Sequence, residues 1–154
     1  MIMLANDIAQ ELHARGIGIY TTDDPSLRTI FVGDFPVIQN PDGTTSAVEG
    51  ITIMPSASPP PHNYIDTEYP VLDFWSRSPH SDRGYELLYE VQELFQRRPQ
   101  WQTGNYLIYL SQCLGSIIDV DRDAEGGKLY RLTVQFICRN LNHISREGRK
   151  LRGN

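Results

Sequence analysis

The sequence is short of cysteine and of long apolar runs. Cys113 and Cys138 are its only thiols in 154 residues, too few for a disulfide framework and too far apart for a CxxC zinc or redox motif. They read as small, reduced, buried apolar side chains. If the acidic stretch between them is a hairpin tip, they face each other across neighbouring strands. No stretch approaches the ~20 apolar residues of a membrane span. The opening residues, MIMLAND, have no basic segment followed by an apolar block, so a signal peptide is not expected and the protein stays where it is made.

Catalytic signatures are missing as well. There is no GxGxxG or GxxxxGK[ST] to cradle a phosphate and no GxSxG nucleophile elbow. His13, His62, His80 and His143 lie in separate segments without HxxxH or HxH spacing and read as scattered surface histidines. The pairs Glu86/Glu90 and Glu90/Glu93 share one helix side, and without burial to raise a pKa they read as a solvated face. The expectation is therefore no catalytic residue, no cofactor and no metal.

What is present suffices for a fold. A chain of 154 residues, 40% apolar and 21% charged, can bury roughly two thirds of its unfolded surface without staples. We expect one domain over residues 1–143. Residues 1–143 carry 18 acidic and 10 basic side chains, whereas 144–154, ISREGRKLRGN, carry four basic and one acidic. An acidic body thus precedes a basic tail that reads as a solvated terminus; four charges give weak, salt-sensitive nucleic-acid binding at most.

Periodicity supplies the elements. Leu4, Ala5, Ile8, Ala9 and Leu12 fall on one helix face, closed by Gly16. IYTTDDPSLRTIFVGDFP reads as a strand, a turn at Asp24-Pro25 and a strand near Thr29 to Gly33. Asp34 to Gly50, containing NPDG, reads as loop, and EGITIMP as a strand. The five prolines in Pro55 to Pro70 exclude a central strand or helix interior and predict a long irregular segment, with 59–61 extended. In YPVLDFWSR, Leu72 and Phe74 alternate with Asp73, Trp75 and Arg77. A helix follows, capped by Ser78 with Pro79 first, or by Ser81, and runs to about Arg97 before Pro99; Leu87, Leu88, Val91, Leu94 and Phe95 form its apolar stripe. NYLIYLSQCL and KLYRLTVQFICR read as closing strands, the second with Leu132, Val134, Phe136 and Cys138 facing a core. The order predicts an α+β fold: a small antiparallel or mixed sheet with an N-terminal helix and one long helix on one face. The long helix and the final hairpin should form the core.

The acidic stretch IIDVDRDAEGGK asks for chemistry. Asp119, Asp121 and Asp123 match positions one, three and five of a calcium loop. Ala124 stands where that loop needs glycine, however, and Tyr130 where it needs glutamate. The stretch reads instead as an acidic hairpin tip with Arg122 and Lys128 as partial counterions. A metal site over residues 119–125 remains an alternative.

Taken in order, "ELHARGIGIY", "RTIFVGDFP", "EGITIMPSASP", "EYPVLDFWSRS", the helix after them and "IIDVDRDAEGGKLYRLTVQFICR" resemble the minor capsid or tail terminator family of tailed bacteriophages. The resemblance spans roughly residues 8 to 140 and rests on the order and spacing of the segments. It implies a non-enzymatic virion assembly protein. Such a protein closes the head-proximal end of the tail tube as a ring of its own copies, commonly six, and meets a neck or head-completion protein. It implies no membrane and no specific nucleic-acid site, although DNA passes through such a ring. The location implied is the virion neck, with the host cytoplasm during assembly. Asp119, Asp121, Arg122 and Asp123 at the tip and Arg131 on the final strand are the candidate contact residues. The proline-rich loop and basic tail depart from the family pattern. Another neck or tail-tube component is the neighbouring reading.

Overall fold

A computed structural model describes residues 2–58, 66–122 and 126–142. The proline run 59–61, His62, Asp123, His143 and the basic stretch 144–154 lie outside the described residues.

The apolar stripe near the N-terminus forms helix α1 (Ile2–Ala14), with Leu4, Ala5, Ile8, Ala9 and Leu12 buried. Gly16 ends it with φ +76°, and the Gly16 and Ile17 amides bond back to the His13 and Leu12 carbonyls, both at 3.0 Å. That is the left-handed glycine cap the sequence predicts.

The strands follow as β1 (Ile30–Val32), β2 (Val37–Gln39), β3 (Thr45–Ala47), β4 (Gly50–Pro55), β5 (Thr67–Glu68) and β6 (Val71–Ser78). Next come helix α2 (Ser81–Phe95) and strands β7 (Trp101–Gln102), β8 (Tyr106–Cys113), β9 (Ile118–Arg122) and β10 (Lys128–Asn140). β2 and β3 pair as a separate hairpin, and the other strands make one mixed sheet in the order β1-β4-β6-β10-β8-β7, with β5 and β9 also paired to β10. Among the described strands only β1 and β4 run parallel. The fold is α+β, as the element order implies.

Alternation decides which face is core. Leu132, Val134, Phe136 and Cys138 of β10, Leu72 and Phe74 of β6, and Ile51 and Ile53 of β4 are buried in one cluster with both helices. Phe95 of α2 is its hub, with ring centroids 5.3 Å from Phe136 and 5.8 Å from Phe74. Full burial of each such side chain stabilises by about 1.5 to 3 kcal/mol. Polar bonds fix the layers: Ser76 Oγ donates to the Gly84 carbonyl at 2.8 Å, and Ser111 Oγ to the Phe95 carbonyl at 2.9 Å. α1 packs on β1 and β4, yet Asp7 on α1 accepts from the Asn105 amide at 3.0 Å and Thr103 Oγ1 at 2.7 Å at the opposite edge of the sheet. The sheet therefore curls around α1.

Four local readings change. Ile19 and Tyr20 form no strand; the Ile19 carbonyl instead accepts from the Thr29 and Ile30 amides, and Tyr20 N–H donates to His13 Nδ1 at 3.1 Å. Residues 34–50 contain the β2–β3 hairpin, with Pro41-Asp42-Gly43 in its turn. α2 begins at Ser81, not Pro79, because Ser78 ends β6 and its Oγ accepts from the His80 amide at 3.1 Å. Cys113 and Cys138 do not face each other: Cys113 lies opposite Val134 and Cys138 opposite Ile108.

Both thiols are free. Burial pushes Cys113 up to about 11 and Cys138 up to about 12, the latter helped by the nearby Glu68 charge. At pH 8 a thiolate-directed reagent should label Cys113 in the native protein on the order of 100-fold more slowly than in the unfolded chain, since each pKa unit is a tenfold loss of thiolate. Both thiols should titrate in denaturant without reductant. Equal rates in the two states would show that the thiol environment is open.

Candidate assembly interface

The sheet face opposite the helices has no described helix over it. Its residues line up in rows across the strands. One row runs Ile118, Arg131, Trp75, Thr52 and Phe31, from β9 to β1; the next holds Thr133, Asp73 and Met54. Gln112 and Gln135, Leu110 and Ile137, and Leu107 and Arg139 continue it along β8 and β10. Most of these side chains are half-buried. The polar ones brace each other: Thr133 Oγ1 donates to Asp73 at 2.6 Å, Gln112 to Gln135 at 3.3 Å, and the Arg131 guanidinium lies 5.5 Å from the Trp75 ring centre.

One end of this face is covered by the segment that carries the β2–β3 hairpin. Arg77, only 3% exposed, donates from Nη2 to the Pro36 carbonyl at 2.6 Å and from Nε to the Val48 carbonyl at 3.0 Å, and stacks 4.5 Å from the Phe35 ring centre. Its cation thus clamps both ends of the hairpin. Arg77→Ala should cost about 2 to 4 kcal/mol from two charge-assisted bonds and a ring contact, and Lys should recover only part, since it lacks the planar fork. Urea melts would measure this; a loss under about 0.5 kcal/mol for Ala would show that the clamp is not needed.

The acidic stretch runs from β9 towards β10: Asp119, Asp121 and Arg122 stand on β9 itself, and Asp123 lies outside the described residues. Asp119, opposite Tyr130, is ion-paired with Lys128, and that hydrogen bond holds its carboxyl below the ordinary carboxylate range. The Lys128 ammonium also sits 5.6 Å from the Tyr130 ring, which meets Tyr85 of α2 edge-on. Asp121, opposite Leu129, has φ +110° and accepts from the Arg122 amide at 2.8 Å. Asp tolerates the left-handed region better than most residues because its short side chain bonds locally. Arg122 donates to the Gly126 carbonyl at 2.9 Å. Lys128 is thus a carboxylate partner, as expected, and the acidic neighbours of Arg122 at 123 and 125 lie outside the described residues. Arg131 stands apart from the tip, on the open face. No three His, Cys, Asp or Glu among the described residues group into a metal-binding cluster.

Sequence reasoning missed the apolar part of this surface. β9 is exposed along its length and among the described residues pairs only with β10, leaving an edge that displays Ile118 and Val120, with Leu114 exposed just before it. The signal is in the sequence, since IIDVD alternates apolar and acidic residues as an exposed strand does. Elsewhere, Glu86, Glu90 and Glu93 on α2 are exposed beside Tyr85 and Tyr89, a solvated face. The cleft of about 340 Å³ between residues 16–19, Thr29, Glu49 and Arg83 contains no histidine, serine or cysteine. No helix among the described residues is long and apolar enough to cross a membrane. No protein-family model matches the chain, and no curated protein matches its sequence.

Proposed function

We propose that this is a non-enzymatic virion assembly protein of the tail-terminator type, which closes the head-proximal end of a phage tail tube as a ring of its own copies and joins it to the neck. The observation that carries the reading is the sheet face on which no helix of the described residues lies, together with the exposed β9 edge. A soluble domain rarely leaves apolar side chains in rows beside arginines and an unpaired strand edge unless another chain covers them. The mixture of half-buried Trp75, Leu129 and Ile137 with Arg131 and Arg139 is that of a protein contact, in which aromatic and arginine residues are enriched. The resemblance of the ordered segments to tail terminators supplies the setting, and tail tube and neck proteins are the further partners.

Electron microscopy of the purified protein, alone and mixed with tails lacking it, tests this directly. Rings, and a cap at one tube end, are expected; neither forming would remove the reading. Another neck or tail-tube component would use the same surface but leave the tube end uncapped. A calcium site at the tip is disfavoured because Lys128 already occupies Asp119, and calorimetric titration should show no saturable heat.

Changing Asp119, Asp121 and Asp123 together to Asn should leave melting nearly unchanged, since exposed charges at a turn contribute little. Assembly in ~0.15 M salt should slow and lose salt sensitivity, because charge sets register and on-rate. Coincident wild-type and variant curves across salt concentrations would take the tip out of the interface.

A further inference from the structure

Two arginines on the open face carry an unanswered donor. The Nε atoms of Arg131 and Arg139 are buried without a hydrogen-bond partner among the described residues, although each residue as a whole remains half-exposed. Buried donors of this kind are normally satisfied, so an orphan needs an explanation. Both side chains stem from the same face of β10, eight residues apart, which at about 3.3 Å per residue is roughly 26 Å. Between them lie Thr133, bonded to Asp73 of β6, then Gln135 and the apolar Ile137, with Leu110 beside it.

The opposite chemistry sits on the same molecule. The β9 edge presents Ile118 and Val120, both exposed, and the Asp121 carboxylate. A strand of five residues is about 17 Å long, shorter than the track between the two arginines. Lys128 neutralises Asp119, while Asp121 has only a backbone amide as its described partner.

We propose that the β9 edge of one copy seats on the Arg131–Arg139 track of the next, its carboxylate reaching a guanidinium and its apolar side chains covering Ile137 and Leu110. The two patches adjoin where Ile118 pairs with Arg131 but consist of different residues, so seating one on the other is a heterologous contact. Repeated head to tail it closes into a ring when the rotation allows, whereas a self-complementary contact stops at two. The inference rests on the ring reading and adds which surfaces meet.

Sedimentation velocity and light scattering in ~0.15 M salt test it, with circular dichroism confirming that each variant is folded. Arg131→Glu with Arg139→Glu should abolish the oligomer, and so should Asp121→Lys. An equimolar mixture of the two should assemble again, since every junction then pairs either the native charges or the exchanged ones. If Lys is not accepted at the positive φ of position 121, Asp121→Asn keeps that backbone, and Arg131→Gln with Arg139→Gln serves for the track; each should weaken assembly at least about tenfold, a 1.4 kcal/mol change. Wild-type rings that persist in all these variants would overturn the pairing and leave the ring reading intact. So would single losses without recovery in the mixture, or a wild type that stops at a dimer. Binding of duplex DNA lost with the track arginines while rings persist would assign the face to nucleic acid and overturn it too. A wild type that stays monomeric both alone and on tail tubes removes the ring reading itself.

Discussion

Phe136→Ala should destabilise the protein by about 3 to 5 kcal/mol, the range for deleting a fully buried phenylalanine and leaving a partial cavity. Phe136 is 0% exposed in the middle of β10, with its edge on Phe95 and Ser111 directly opposite on β8. The surroundings have little freedom to collapse, because Phe95 is held by Phe74 and by Trp101, whose ring stacks 6.1 Å away under the Arg98 guanidinium. Leu88→Ala, at an equally buried site on α2, should cost about 2 to 5 kcal/mol. Urea melts giving less than about 0.5 kcal/mol for both would place the core elsewhere.

Gly50→Ala should be comparably damaging for a different reason. Gly50 has φ +152°, and a Cβ there would fall inside the contact radius of the Thr29 carbonyl oxygen. That oxygen cannot simply retreat, since it accepts the Ile51 amide at 2.9 Å as β1 and β4 come together. The cost should be about 3 kcal/mol or more, combining backbone strain with overpacking against main chain. Gly104→Ala is the control: a Cβ there meets nothing within 4 Å, so the change should stay within about 0.5 kcal/mol. Similar melting of the two variants would show that β1 moves freely away from β4.

Much of this architecture can be read from residue order because its strands alternate cleanly. Asp73, Trp75 and Arg77 fall opposite Leu72 and Phe74 as the period of two demands, and the stripe of α2 buries Leu87, Leu88, Val91 and Phe95. The β9–β10 connection is legible because the alternation of IIDVD stops before Gly126 and Gly127 and resumes in β10. The relative placement of the cysteines is not. Counting back from the tip sets Cys113 against Cys138, but an irregularity between Leu129 and Tyr130 and the break at residues 114–117 take up chain on one side only, so Cys113 meets Val134. The β2–β3 hairpin is equally hidden, since three-residue strands around a polar turn have no periodicity to detect. Of the contact residues, the hairpin could be found from its charges. Alternation along KLYRLTVQFICR already sets Arg131 and Arg139 together on the polar face of β10; only the register shows which residues of β6, β8 and β9 lie beside them.

The central position of β10 has a consequence for how the protein is made. This strand borders β5, β6, β8 and β9, yet it occupies residues 128–140, so during synthesis every strand it joins leaves the ribosome before it. Until it arrives, β6 has a neighbour on one side only and the apolar faces of β6 and α2 have no cover from β8. Such late, non-local pairing is slow, and the waiting edges invite association with other nascent chains. Chaperone demand should therefore peak between the appearance of β8 and that of β10, while β6 and β8 still wait for the strand that joins them.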